Sequence, residues 1–457
     1  MKRFSIAILL ILGSCTGAKF IAPEPTMPSE YLGDSDTTPL SLSVEWWESF
    51  NDPYLNNLIT QALDSNRTLA QAYSRILASR LELSQARSLR APTLSLGVSA
   101  GADYTASTKI VQSYSIEPAI SWEIDLFGKL RHSAQATLAE MLSSEAEYQA
   151  LRLSLAAQVA TSYFAILEYD LAIEISQNTL LSRQNSAELF SILSEYGEIS
   201  DITLQQNQGL VASAQSTLES YQLSRTEAIN SLCVLLGTNP QEMDFSGVSL
   251  LNYTIPEPIP AGLPTELLSR RADIVESYYT LKSTYSKIGV AIANRFPSLT
   301  LTGSGGLISS SISSLFSANP WGWSGALSLT EPIFAFGRNK RAVDIAKVER
   351  DEALFSYEES VLTALSEVES ALYGVSSYRE QVIALREFAV ASKIAEELTA
   401  QLYDAGQDSY LDLLDAQREY FTAQLEWAAI LSKHLTSYVT LYKALGGGYQ
   451  NSAIQTP

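Results

Sequence analysis

Ile116-Glu117-Pro118-Ala119-Ile120-Ser121-Trp122-Glu123-Ile124-Asp125-Leu126-Phe127-Gly128 is the stretch that decides how this chain is read. Up to Leu126 its even positions are apolar and its odd positions small or polar, the period of a strand with two unlike faces. It stops at a glycine, which can absorb a backbone angle other residues avoid. No proline then occurs from 119 to 239 after Pro118. The same passage returns at Pro332-Ile333-Phe334-Ala335-Phe336-Gly337, with no proline from 333 to 456. Gly128 and Gly337, Gly197 and Gly406, and Gly237 and Gly446 are each 209 apart, whereas Pro92 and Pro297, and Leu69 and Ile274, are 205 apart. The chain therefore carries two copies of one supersecondary unit.

Within the proline-free segments apolar residues recur at steps of three and four. Leu151, Leu155, Val159, Tyr163 and Ile166 mark one seam, and Leu354, Tyr357, Val361, Leu365, Val368 and Leu372 the other. That is the spacing of a coiled-coil stripe. Each segment reads as a helical hairpin turning at Gly197 or Gly406, with a first arm of about 100 Å and a return arm of about 60 Å. A further helix precedes each unit, near 54–90 and 265–296. Such lengths suit a tube or rod.

Each half also has two alternating segments. Leu94, Leu96 and Val98 alternate with Thr93, Ser95 and Gly97; Leu299 and Leu301 with Ser298, Thr300 and Thr302; Trp321, Trp323, Leu327 and Leu329 with Gly322, Ser324, Ala326 and Ser328. Strands of about ten residues with one apolar face and one small polar face are the pattern of a transmembrane β-barrel. A soluble sheet with one buried face alternates likewise, but the export signal and the strand length favour the barrel. Four strands cannot close a barrel, for which about eight are the practical minimum. A lipid-exposed open edge is not viable. Spanning strands thus require several chains around a shared barrel.

Lys2 and Arg3 followed by apolar Phe4 to Leu12 form an export signal too short to span a bilayer. It ends in Leu12-Gly13-Ser14-Cys15, which resembles a bacterial lipoprotein box. That resemblance implies an acylated Cys15 as the mature N-terminus, and Thr16 after it implies sorting to the outer membrane. Cys233 is the only thiol left and is expected to be a buried small hydrophobe. No later stretch reads as a membrane helix. The net charge of −20 argues against nucleic acid and anionic lipid surfaces and suits an acidic, water-filled lumen.

Several motifs now point one way. They are Trp46-Trp47-Glu48-Ser49-Phe50-Asn51-Asp52-Pro53, then Gly262-Leu263-Pro264-Thr265-Glu266-Leu267-Leu268-Ser269-Arg270-Arg271-Ala272-Asp273-Ile274, Phe296-Pro297-Ser298-Leu299, Tyr410-Leu411-Asp412-Leu413-Leu414-Asp415-Ala416-Gln417-Arg418 and Leu445-Gly446-Gly447-Gly448. In this order they resemble the TolC-family outer membrane factors, specifically the lipoprotein branch found with RND-type efflux pumps. Ala272 stands where that family usually has proline. The resemblance implies a fold that is mainly α with transmembrane β. It implies a homotrimer whose 12-stranded outer-membrane β-barrel continues into a long periplasmic α-helical barrel, with two structural repeats per chain. It also implies a periplasmic adaptor protein, an inner-membrane transporter of RND type and outer membrane lipids as partners.

Pro92 and Pro297 are expected at helix-to-strand junctions, and Gly128 and Gly337 at strand-to-helix junctions. By the resemblance, the tips at Gly197-Glu198 and Gly406-Gln407 meet the adaptor. Asp412 and Asp415, on one helix face, match the aspartates that ring the periplasmic constriction. Three chains would gather six carboxylates there, favouring cations. Some relatives place an arginine two residues after the tip glycine; this chain has Asp408, so the latch must differ.

The domains so read are a signal peptide over 1–15, a tether over 16–45 and a first repeat over 46–251. That repeat holds a β-hairpin near 93–126 and a helical hairpin over 128–237. A linker over 252–264 leads to a second repeat over 265–448, with a β-hairpin near 298–332 and a helical hairpin over 337–446, and a tail over 449–457. Nothing suggests an enzyme, a cofactor or a metal. His132 and His434 are expected at surfaces or interfaces, and no nucleophile elbow, phosphate loop or Cys/His cluster occurs. The reading is a passive exit duct for small molecules. Its rivals are the outer component of a type I protein secretion system and, from another class, a trimeric envelope coiled coil with no channel.

Overall fold

The computed structural model describes residues 20–32, 43–107, 109–245, 247–253, 261–316 and 319–449. Cys15 with its signal segment, much of the tether, most of the linker and nearly all of the tail lie outside the described residues. In chain order the elements are α1 (Pro53–Ser65), α2 (Arg67–Ser88), β1 (Thr93–Thr105), β2 (Lys109–Ile124), α3 (Lys129–Glu195), α4 (Asp201–Leu235), one-turn α5 (Leu267–Arg270), α6 (Ala272–Ala293), β3 (Ser298–Ser309), β4 (Trp321–Thr330), α7 (Arg338–Asp404) and α8 (Tyr410–Ala444). α3 and α7 have 67 residues each, α4 and α8 35 each. At the α-helical rise these are about 100 Å and 50 Å.

The chain forms two compact units. One is built from Ala72–Glu147 and Val275–Ser360 with a few N-terminal residues, the other from Thr26–Gln71, Tyr148–Ile274 and Val361–Pro457.

The first unit contains the sheet, antiparallel in the order β1-β2-β3-β4. Its register sorts side chains by chemistry. Val98 faces Ile116, Ile116 faces Leu307, and Leu307 faces Trp321, so an apolar row runs across all four strands. The opposite face is small and polar, with Ser304 Oγ donating to Glu117 at 2.9 Å and lying 3.0 Å from Ser324 Oγ. Pro118 sits in an inner strand, where proline is unusual because it lacks an amide for the ladder. Gly306 makes room beside it, since a Cβ there would lie 2.1 Å from the Ile116 carbonyl oxygen. β1 and β2 run to 13 and 16 residues, longer than the expected ten or so, because their hairpin continues to the pair Thr105 and Lys109. At the helical end of this unit, His132 packs so closely on Gly289 that a Cβ would come within 2.6 Å of its ring.

The second unit is helical around a large apolar core, with a smaller cluster of Leu180, Ala214 and Leu218. Asp52 caps α1 by accepting from the Tyr54 and Leu55 amides, and also accepts from the Tyr163 hydroxyl at 2.7 Å and the Tyr253 hydroxyl at 3.1 Å. Trp46 stacks on Tyr442 at 5.2 Å and is buried with Phe50, Phe164 and Leu55. Along α7 the buried row is Tyr357, Val361, Ala364, Val368 and Ala371, of which the last four belong to this unit. Three positions therefore differ from the expected seam: Leu354, Leu365 and Leu372 are only half buried, and Ala364 and Ala371 point inward beside the last two. Cys233 is buried and free.

Two further expectations change, for the helix before each hairpin and for His434. The single helices expected near 54–90 and 265–296 are each broken, at Asn66 and Arg271, where the backbone turns extended. α3 holds an 18-residue window apolar enough to cross a membrane, but half of it is buried, as suits a core helix. His434 is not at a surface: it is 1 % exposed beside Tyr438, and burial, with Arg379 nearby, holds its imidazole below the usual histidine range.

Candidate functional site

In the helical unit both hairpin turns are built the same way. Gly197 has φ +75° and Gly406 φ +66°. The next amide then reaches five residues back: Glu198 donates to the Leu193 carbonyl and Gln407 to the Leu402 carbonyl, both at 2.9 Å. This is the left-handed helix stop that favours glycine. Ser200 and Ser409 start the return helices, their hydroxyls accepting from the Thr203 amide at 3.2 Å and the Asp412 amide at 3.3 Å. Nothing lies within 4 Å of a Cβ at either glycine, so the backbone angle alone demands it. Glu198 and Gln407 are exposed on these turns.

Asp412 and Asp415 are both exposed in the first turns of α8. Asp412 is more than a solvated charge, because Ser409 Oγ donates to its carboxylate at 2.5 Å. That hydrogen bond from Ser409 is the main cause holding its carboxyl below the usual carboxylate range. Asp415 pairs with Arg418 at 3.0 Å, but exposed pairs are worth at most about 1 kcal/mol.

Tyr410 draws the two hairpins together. Its ring packs on Phe190 of α3 at 4.4 Å, and its hydroxyl accepts from the Asn207 side-chain amide of α4. Deeper along the same helices, Arg183 lies over the Phe421 ring at 5.2 Å and donates to the Leu210 carbonyl at 3.1 Å. Sequence reasoning did not assign these links. Tyr410 stood in a quoted motif, but no local spacing reveals a contact made across two hairpins.

In the sheet unit, Pro92 and Pro297 sit immediately before β1 and β3. Gly128 and Gly337, each at φ +75°, immediately precede α3 and α7. Phe127 stacks on Phe296 at 4.9 Å, so the junction at Gly128 meets the one at Pro297. Asp125 caps α3, its two oxygens accepting from the Leu130 and Arg131 amides at 3.1 and 2.8 Å. Phe334 and Phe336 are 76 % and 80 % exposed beside Gly337. Among the described residues no group of three or more His, Cys, Asp or Glu is placed to hold a metal ion.

A family model described as outer membrane efflux protein matches residues 58–238 and 263–447. The chain is 32% identical to outer membrane protein OprJ of Pseudomonas aeruginosa, covering 97% of this chain and 95% of OprJ. It is 32% identical to the solvent efflux pump outer membrane protein SrpC of Pseudomonas putida, covering 99% of each. Among solved structures, the open state of the MtrE outer membrane channel of Neisseria gonorrhoeae superposes with a TM-score of 0.86 at 30% identity, over 95% of this chain and 98% of that one. The outer-membrane channel OprN gives a TM-score of 0.88 at 28% identity, over 96% of this chain and 100% of that one. Matched in both halves and along full-length relatives, this chain belongs to the outer membrane efflux protein family.

Proposed function

We propose that three copies of this chain form a passive exit duct. Their strands would make a 12-stranded barrel in the outer membrane, continuous with a helical barrel across the periplasm. An inner-membrane transporter of RND type would feed it small molecules through a periplasmic adaptor. Acylated Cys15 would anchor each copy.

The observation that carries this is an open sheet with a bare apolar face. Leu94, Leu96, Val98, Tyr104, Trp321, Trp323, Leu327 and Leu329 are 64 to 86 % exposed on one side of it. Covering a large apolar side chain is worth about 1.5–3 kcal/mol, so eight of them represent on the order of 12–24 kcal/mol. That rivals the whole stability of a domain, about 5–15 kcal/mol, so water cannot be the resting environment of this face. Lipid is the natural cover, and lipid forbids the free edges of β1 and β4. Joining edges between copies removes them, and three copies supply twelve strands.

The small polar face would then line the lumen. Each glycine tip would present Glu198 or Gln407 to the adaptor, and Asp412 and Asp415 would ring the narrowest point. Residues 46–251 and 265–448 would be the two structural repeats, each contributing one β-hairpin and one helical hairpin.

Fluorescence in bilayers of brominated lipid tests this. Trp321 and Trp323 should be strongly quenched, and replacing both by Phe should remove most of the quenching. Emission from these two that is indifferent to bromine would overturn the membrane placement.

A further inference from the structure

The helical unit carries a half-open cavity of about 690 Å³ between α3, α7 and α8 that the duct reading leaves unused. Arg183 lines it and is only 6 % exposed. Its Nη1 is engaged by the Leu210 carbonyl, but its Nη2 is buried without a hydrogen-bond partner. Among the described residues no carboxylate pairs with it, and the charge acting most on it is Arg418, of like sign. Trp427 lines the same cavity and its Nε1 is a second buried donor with no acceptor. Unpaired buried donors are costly, and an unpaired buried guanidinium more so.

The lining has a net positive bias. Arg183, Arg386 and Lys393 stand against Glu174 and Glu396. Burial, reinforced by Glu397, holds Glu396 above the usual carboxylate range despite a hydrogen bond from Gln417. Phe421 and Trp427 supply aromatic wall, and the volume lies within the range of small-molecule sites, about 300–1,000 Å³. Two idle donors, a positive bias and aromatic wall around one half-open cavity ask for an acceptor that is anionic and carries an apolar body.

We propose that this cavity binds a small aromatic carboxylate, its charge met by Arg183 and its ring lying along Phe421 and Trp427. The site goes beyond the duct reading, because it depends neither on the sheet nor on the aspartates of α8.

The test is ligand-observed fluorine NMR with 4-fluorobenzoate and the full-length assembled protein in detergent. One saturable site per chain is expected, with the neutral 4-fluorobenzyl alcohol binding about ten-fold more weakly or worse, as loss of a charge-assisted hydrogen bond implies. Arg183→Met should weaken the acid by at least about ten-fold, and Trp427→Phe, which keeps the ring and removes the donor, by several-fold. No binding by the assembled protein, equal binding of acid and alcohol, or undiminished binding by assembled Arg183→Met would overturn the proposal. If Arg183→Met fails to assemble, Trp427→Phe decides: weakened binding supports the site. Full binding there overturns the proposal.

Discussion

Asn66 donates its side-chain amide to the Leu235 carbonyl, 169 residues away in sequence, at 2.8 Å. Arg271 does the same for the Ala444 carbonyl at 3.2 Å. Each interrupts a helix in order to cap the end of a return helix. Gly237 and Gly446 follow those ends so closely that a Cβ would lie 2.4 Å from the Ser65 and Arg270 carbonyl oxygens. The two halves thus use one lock with different side chains. It fixes one end of α4 and of α8, and the tip turns stand at the other end of the same helices.

Breaking this lock should cost stability directly. Asn66→Ala removes both the acceptor for the Leu69 amide at 2.9 Å and the donor to Leu235. Losing a cap and stranding a part-buried carbonyl amount to about 2 kcal/mol. Gly446→Ala should be worse, since it combines a backbone clash with φ +91°. Denaturant titration of the detergent-solubilised protein measures both; wild-type midpoints would contradict the lock.

Two glycines on the same hairpin should respond with opposite sign. Gly209 lies inside α4 with an ordinary backbone and nothing within 4 Å of a Cβ, so Gly209→Ala should stabilise by about 0.5–1 kcal/mol. Gly197→Ala, at φ +75°, should destabilise by about 1 kcal/mol. Gly197→Val and Gly406→Val should in addition impair capture of the adaptor in a cross-linking assay. Normal capture in both would remove the basis for the tip assignment.

Acid should unlock the second half through Asp273. Burial works against its charge, but Arg271, donating at 2.6 and 3.0 Å, outweighs it and holds the carboxyl below its usual range. A lowered folded pKa means stability that is present above the unfolded value, about 3.9, and lost as pH falls through the folded one. Melting temperature should therefore be steady from neutral pH down to about 5 and fall below about 4. Asp273→Asn should start lower at neutral pH and show a shallower acid decline. An unchanged acid profile in that variant would exclude Asp273 as the source.

Much of this was legible in the chain. Alternation over Ile116–Ile124 and the glycines at 128, 197, 337 and 406 follow from local backbone rules, and they correspond to β2 and to four positive φ angles. The Ser409-to-Asp412 cap is also local, a serine three residues before an acid. What stayed hidden depends on distant partners. Nothing near Asn66 signals a break, because Leu235 supplies the reason, and Arg271 hides its equivalence behind a different side chain. Ala364 and Ala371 point inward because closely packed helices select small residues, whereas hydrophobicity alone favours Leu365 and Leu372. His434 reads as polar but occupies a core-facing helix position.

At the tip, Asp412→Asn with Asp415→Asn should lower cation selectivity in planar bilayers and relieve block by multivalent cations. The fold should survive, though Asn at 412 gives up the charge that Ser409 stabilises. Unaltered conductance, selectivity and block would move the constriction elsewhere, with Asp201 and Asp408 the next candidates.

Native mass spectrometry of the detergent-extracted protein tests the central claim most directly. The account predicts a single dominant species of three chains, in which the open edges of β1 and β4 are joined between copies. A folded monomer that retains its sheet, or a closed assembly of any other number, would contradict the account.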